Sequence, residues 1–329
     1  MFEAFFEFIR FNFVVKGDYM LYKEAMIRFL AIVLLLLPLC AAANDTITAS
    51  SYILVEKDSF QVISGRDYNK RLAPASTTKV MTTIVALERL NGNEIVKADA
   101  NVLSIPASRL SLSPGGEYKA IDLIKGTMVQ SANDAAYVLA VHMGGDETGF
   151  AGMMNKKAQE IGAYNTHFRN ASGLSADNHY TTAYDLALIL RYALSSERFR
   201  EIAAAKYFLF QEGTRNVRYK NHNRFLFCFE PAIAGKTGFT RMSRHCYVGA
   251  FEKDEKVYIL ALLGSNNLWG DAVNILKNLY EQLPSDREIR LAKSCPVKLT
   301  SYKENKEKKP VSKKKAKKSK STNKNKTKV

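Results

Sequence analysis

The chain reads as a mixed α/β (α+β) protein, with a central antiparallel sheet flanked by helices and a helical lobe inserted in it. Three observations predict this class. Short apolar stretches with strand character stand near the amino end, at 52–57 and 60–63. Similar stretches return at 217–219, 233–240, 247–251 and 257–263. Between the two groups, from 80 to 194, the apolar residues recur at helical spacing instead. A sheet built from both ends of the chain, with the helical middle inserted, accounts for that order.

Taken in sequence, Asp58-Ser59 turns the first two strands into a hairpin. Pro74 precedes, and Asn91-Gly92-Asn93 follows, a helical run carrying Val80, Met81, Ile84, Val85 and Leu87 on its apolar side. Ser113-Pro114-Gly115-Gly116 is a turn leading into a helix over 121–128. A second helix covers 134–143 and is ended by Gly144-Gly145, and a third covers 150–161. Thr182 with Asp185 has the form of a capping pair that opens a helix through Leu194. After the strand run, a helix over 274–283 closes the domain. No core pattern survives beyond Pro284.

The organisation expected is therefore an N-terminal extension and signal over 1–43, one domain over 44–284, and a basic, disordered tail over 285–329. Met26-Ile27-Arg28 precedes an apolar stretch that ends in Ala41-Ala42-Ala43, the layout of a secretory signal cleaved after Ala43. The run is short for a membrane anchor. Residues 1–25 fit no signal region, so a start at Met20 or Met26 is expected. Leu39 is too bulky for a lipoprotein site at Cys40. Past the signal stand Cys228, Cys246 and Cys295. The first two either bridge or remain free thiols, and no spacing suggests a metal.

The net charge of +16 is unevenly placed, because residues 303–329 hold 13 Lys against 2 Glu and 1–302 carry only +5. The globular part is only mildly basic. The Lys-rich tail suits an anionic membrane or wall surface, or serves as a solubilising spacer. A secretory signal argues against nucleic acid as its partner.

Ser76 and Lys79 lie in the first turn of the first helix, three apart and so on one face. A cation there opposes the positive end of the helix dipole, and a capping box would have Glu or Gln instead. A Lys that breaks the local rule marks a candidate functional residue. Two further motifs follow, Ser131-Ala132-Asn133 at a helix start and Lys236-Thr237-Gly238 on a strand. Ser-x-x-Lys and Ser-x-Asn both recur elsewhere in the chain and mean little alone. The three in this order, on helix, helix and strand, are specific.

With these residues the chain resembles the active-site serine penicillin-recognising enzymes, of β-lactamase/transpeptidase-like fold, and among them the low-molecular-mass D-alanyl-D-alanine carboxypeptidases of peptidase family S11. The resemblance covers about 48–283. It rests on Ala73-Pro74-Ala75-Ser76-Thr77-Thr78-Lys79, Ser113-Pro114-Gly115-Gly116-Glu117-Tyr118 and Ser131-Ala132-Asn133-Asp134-Ala135-Ala136. Further on it rests on Phe168-Arg169-Asn170-Ala171-Ser172-Gly173-Leu174, on residues 179–187, and on Gly235-Lys236-Thr237-Gly238-Phe239-Thr240.

The resemblance implies that Ser76 is the nucleophile, Lys79 its base and Ser131 a proton relay to the leaving D-alanine. Asn133 would hold the substrate backbone, and Lys236 with Thr237 or Thr240 the terminal carboxylate. The edge at Gly238 would pair with extended substrate. The N–H groups of Ser76 and Phe239 would form the oxyanion hole. Peptidoglycan stem peptides would be the substrate and β-lactams covalent inhibitors, with no cofactor and no metal. The protein would work in the periplasm or cell wall.

A D,D-endopeptidase of the same family is the alternative, and an inactive wall-binding module is disfavoured by the complete motifs. A β-lactamase needs a carboxylate to activate its deacylating water, and 165–178 offers only Asp177. His179 reads as structural. Arg241 and Arg244 could assist with the carboxylate, although residues 241–246 depart from the Ala-Gly-rich sequence the family leads one to expect. The amphipathic C-terminal membrane helix and β-rich second domain usual in the family are not found after Pro284.

Overall fold

The computed structural model describes residues 46–294 and Arg28. The expected signal, apart from Arg28, and the Lys-rich tail lie outside the described residues. In chain order, β1 (Ser51–Glu56) and β2 (Val62–Arg66) form the first hairpin. A 3-10 turn, Ala75–Thr78, runs into α1 (Lys79–Arg89). Strand β3 (Ile95–Lys97) pairs with β4 (Glu117–Lys119). Then α2 (Ala120–Lys125) winds on into a π-helical turn, Gly126–Gln130. Helices α3 (Asn133–Gly144), α4 (Glu147–Ile161), α5 (Ala183–Ala193) and α6 (Glu197–Ala204) follow. A ribbon of β5 (Tyr207–Glu212) and β6 (Arg215–Lys220) precedes α7 (Phe225–Cys228). The chain then forms β7 (Ala232–Thr240), β8 (Arg244–Lys253), β9 (Lys256–Ser265), α8 (Leu268–Leu276) and α9 (Asp286–Ser294).

The main sheet is antiparallel in the order β2-β1-β9-β8-β7. Ile53 faces Ala261 across the β1–β9 junction, where the two ends of the chain meet. Strands β8 and β9 are buried on both faces, which is why their sequences are continuous apolar runs rather than alternating ones. One face packs Ile53, Val55, Val248 and Ala261 against α1 and the helical lobe. The other packs Leu54, Tyr247, Phe251 and Leu262 against Ile275 of α8 and Ile289 of α9. Strand β7 is left at the edge, with its free side turned to the lobe.

Helix α1 is the axis of this arrangement. Every residue from Lys79 to Ala86 is buried, because sheet and lobe close on it from opposite sides. Most of its polar side chains find partners inside, although the buried Thr83 hydroxyl has none among the described residues. Thr82 Oγ1 donates to the Ala171 carbonyl at 2.6 Å, tying α1 to the loop before α5.

The structure corrects three expectations. The closing helix is Leu268–Leu276, not 274–283, because Asn267 caps it by accepting from the Gly270 N–H. Order does not end at Pro284: Asp286–Ser294 is helical and buries Ile289 and Ala292. The apolar positions there are too few to show without the hydrophobic face they cover. The strand at 217–219 belongs to the separate β5–β6 ribbon, not the main sheet. Cys228 and Cys246 are free thiols, both pushed up to about 11 by burial.

Candidate active site

A cleft of about 930 Å³ opens between the β7 edge and the lobe, lined by Ser76, Ser131, Asn133 and the run Thr237, Gly238, Phe239 and Thr240. Lys79 and Lys236 lie buried beneath its floor. The three motifs foreseen in the sequence therefore converge, each from a different layer.

Ser76 is in the 3-10 turn that starts α1. Its hydroxyl makes no capping bond; it lies 2.9 Å from Lys79 Nζ and 3.4 Å from the Ser172 carbonyl. The residue before it, Ala75, sits at φ 48, a left-handed conformation that a non-glycine residue adopts at a cost. Gly173 fits against this turn: a Cβ there would stand 1.8 Å from the Ala75 carbonyl oxygen. Gly238 lets the edge strand approach the nucleophile in the same way, since a Cβ would stand 2.8 Å from the Ser76 nitrogen.

Lys79 Nζ has three neighbours: Ser76 Oγ at 2.9 Å, Asn133 Oδ1 at 2.7 Å and the Ser172 carbonyl at 2.6 Å. A neutral amine has two protons and one lone pair. The two acceptor-only oxygens take the protons, which leaves the lone pair aimed at the Ser76 hydroxyl. Burial holds the Lys79 amine well below the usual lysine range, and the Lys236 charge lowers it further against an opposing pull from Asp134. Burial is the larger cause, ahead of the second lysine.

Asn133 is fully engaged. Its Nδ2 donates to the Pro106 and Ala107 carbonyls, both at 3.0 Å, which fixes the amide so that Oδ1 faces Lys79. In this structure its side chain orients the lysine and offers the substrate backbone no free donor. Asp134 beside it accepts from the N–H groups of Leu110, Ser111 and Leu112 and so fixes the loop that borders the cleft.

Ser131 does not open α3 as a cap. It closes the π-helical turn in the left-handed conformation, at φ 60 and ψ 33. That turn aims its hydroxyl at Lys236, whose Nζ donates to Ser131 Oγ at 2.9 Å and to the Thr237 carbonyl at 2.7 Å. Burial pushes Lys236 down to about 7.

His179 is buried behind the site. The Arg169 N–H donates to its Nδ1, so Nε2 carries the proton and donates to Thr78 Oγ1 at 3.0 Å. Burial pushes it down to about 4, and it holds the turn below Ser76 as a neutral side chain. Arg241 and Arg244 are exposed and do not line the cleft. Three contributors escaped the sequence reading: the Ser172 carbonyl, and His222 and Arg224 on the cleft wall. A carbonyl carries no residue-type signal, and the other two lie in a loop whose place is set only by packing. No Asp or Glu lines the cleft among the described residues.

The family described as D-alanyl-D-alanine carboxypeptidase, Peptidase_S11, matches residues 39–267. D-alanyl-D-alanine carboxypeptidase DacB2 of Mycobacterium tuberculosis is 34% identical over 235 residues, covering 69% of this chain and 80% of its own length. DacF of Bacillus subtilis, also described as a D-alanyl-D-alanine carboxypeptidase, is 32% identical over 224 residues. That match covers 66% of this chain but 58% of the relative's length. Among solved structures, a D-alanyl-D-alanine carboxypeptidase from Mycobacterium tuberculosis superposes with a TM-score of 0.68 at 32% identity, covering 73% of this chain and 95% of that one. A mutant of the Streptomyces K15 DD-transpeptidase gives 0.66 at 26% identity, covering 71% and 97%.

Proposed function

Because the chain belongs to the D-alanyl-D-alanine carboxypeptidase family, peptidase S11, we propose that it removes the terminal D-alanine from peptidoglycan stem peptides through an acyl-enzyme on Ser76. The observation that carries the reading is the buried Lys79 amine, 2.9 Å from Ser76 Oγ with its other two partners acceptor-only.

Ser76 Oγ attacks the carbonyl carbon between the two D-alanines while its proton passes to Lys79 Nζ. The oxyanion forms against the N–H groups of Ser76 and Phe239, worth roughly 3–4 kcal/mol per donor. Collapse breaks the C–N bond. Ser131 gives its proton to the departing D-alanine nitrogen and recovers one from Lys236, which donates to it. Water then hydrolyses the ester: Lys79 returns its proton to Ser76 Oγ, and the proton lost by the water restores Lys236. Asn133 keeps Lys79 in place, while Thr237, Gly238 and Thr240 hold the extended substrate along β7. Among the described residues the cleft has no Glu or Asp to activate water against a penicilloyl ester. β-Lactams therefore act as slowly released covalent inhibitors rather than as substrates.

The protein works beyond the cytoplasmic membrane, delivered by the signal over 26–43, with a catalytic domain from residue 44. Its Lys-rich tail grips an anionic surface. Among the described residues no helix is long and apolar enough to cross a membrane. Truncation after Lys303 is expected to weaken binding to anionic vesicles at low salt; unchanged binding would leave the tail a spacer.

The test of the activity is release of free D-alanine from a peptide ending Lys-D-Ala-D-Ala, with loss of fluorescent-penicillin labelling in Ser76→Ala. No release, together with fast turnover of a chromogenic cephalosporin, would overturn the carboxypeptidase reading. Labelling that survives Ser76→Ala would overturn the choice of nucleophile.

A further inference from the structure

A carboxypeptidase must recognise a free terminal carboxylate. Of the residues that could hold it, Lys236 is poorly suited to carry the whole charge. Burial pushes it down to about 7, and its protons are committed to Ser131 and to the Thr237 carbonyl. Arg241 and Arg244 lie outside the cleft. Two guanidinium groups that stay charged line the cleft, Arg218 and Arg224; Arg218 is exposed and lies 3.8 Å over the Tyr207 ring, which leaves Arg224 as the partly buried one.

Alternation along β7 shows where. Lys236 and Gly238 face the nucleophile: Lys236 reaches Ser131, and Gly238 lies against the Ser76 nitrogen. Thr237 and Phe239 point to the opposite face. Their cross-strand partners on β8 are Tyr247 and His245. Phe239 and His245 rings lie 4.6 Å apart, and Tyr247 packs 5.9 Å from Trp269 at the start of α8. Above Trp269, at 5.3 Å from its ring centroid, sits the Arg224 guanidinium.

Arg224 is half-buried on the cleft wall, and no carboxylate pairs with it among the described residues. Burial lowers its pKa from the usual guanidinium value without removing its charge. A partly desolvated cation with no acid beside it has an unmet demand for an anion. Arg224 and Thr237 line the same cleft as Ser76 and Ser131, so a D-alanine leaving from Ser76 lies within reach of both. Its nitrogen takes a proton from Ser131, which Lys236 fixes beside Thr237.

Resting on the carboxypeptidase reading, we propose that Arg224 is the specificity-determining residue that binds the substrate's C-terminal carboxylate, together with the Thr237 hydroxyl. It does so from the segment between β6 and α7, its guanidinium 5.3 Å from the Trp269 ring centroid. It thereby selects free peptide termini over amide-linked ones.

The experiment compares D-alanine release from a diacyl-Lys-D-Ala-D-Ala peptide with D-alaninamide release from its C-terminal carboxamide. The wild type is expected to favour the free acid about 10- to 100-fold in kcat/KM, the worth of one charge-assisted contact. In Arg224→Gln the acid-to-amide ratio falls towards one, while Arg224→Lys keeps part of it. Arg241→Gln and Arg244→Gln keep the wild-type ratio. The ratio is internal to each variant, so partial loss of folded protein does not disturb it. An unchanged ratio in Arg224→Gln, with the wild type releasing D-alanine, overturns the proposal and leaves the carboxypeptidase reading standing. A wild type that cleaves neither peptide overturns both.

Discussion

Gly173→Ala should disable the site from behind without touching a catalytic group. The native φ is +81, a conformation that costs an alanine roughly 1–3 kcal/mol. The new Cβ would stand 1.8 Å from the Ala75 carbonyl oxygen, where real contacts essentially never fall below 3.0 Å. The turn or the loop must therefore give by roughly 1.2 Å, the difference between those two distances. The neighbouring contacts have little slack: Lys79 to the Ser172 carbonyl is 2.6 Å and Thr82 to the Ala171 carbonyl is 2.6 Å. A shift of that size breaks one or both, at roughly 1 kcal/mol each. The total expected destabilisation is about 2–5 kcal/mol. A misplacement of this order at the nucleophile costs on the order of 100-fold in rate. The assay is the second-order rate of acylation by fluorescent penicillin, read beside a urea unfolding curve. Gly162→Ala is the control: its φ is +87, but nothing lies within 4 Å of the added Cβ. It should lose stability and keep its rate. If Gly173→Ala acylates within about threefold of wild type, well inside the expected loss, the argument that this loop sets the Ser76–Lys79 geometry is refuted.

Two further outcomes follow from the titrating groups. Lys79 must be neutral to accept the Ser76 proton, so acylation rises with pH through the Lys79 pKa. Lys236→Gln removes the charge that lowers that pKa, so the rising limb should move to higher pH, whatever happens to its height; a stationary limb would show the two lysines uncoupled. His179 is held at about 4, against 6.5 when unfolded, so the unfolded chain binds the extra proton first on acidification. Its contribution is fully present above about 6.5 and is lost as pH falls toward about 4, by roughly 3 kcal/mol. His179→Gln should lose less stability than wild type between those pH values in urea titrations; parallel losses would remove His179 as the cause.

Much of the site was legible because its chemistry needs residue types that local structure disfavours. Lys79 stands out in a first helical turn, and Lys236-Thr237-Gly238 interrupts an apolar strand. The expectation of a buried amine next to Ser76 is met in the geometry. The role of Asn133 was less legible. Its partners, the Pro106 and Ala107 carbonyls and Lys79, are far apart in sequence, and only their meeting spends its amide. The closing helix was misplaced for a similar reason, because its cap is a single Asn whose partner N–H is known only once the turn has formed.

The sequence by itself determined the period of α1, α3, α4 and α5, the hairpin, the capping pair at Thr182 and Asp185, and the order of the three motifs. These depend on local propensity and on hydrophobic spacing, which neighbouring residues set. Only the tertiary structure decided that α1 is buried all round, and that Ser131 reaches Lys236 from a left-handed turn. It alone placed the Ser172 carbonyl on Lys79, and Arg224 over Trp269 at the cleft. Burial and long-range contact are properties of the packed chain. The lowered Lys79 pKa arises first from burial, and no stretch of sequence carries that quantity before the sheet and the lobe have closed on the helix.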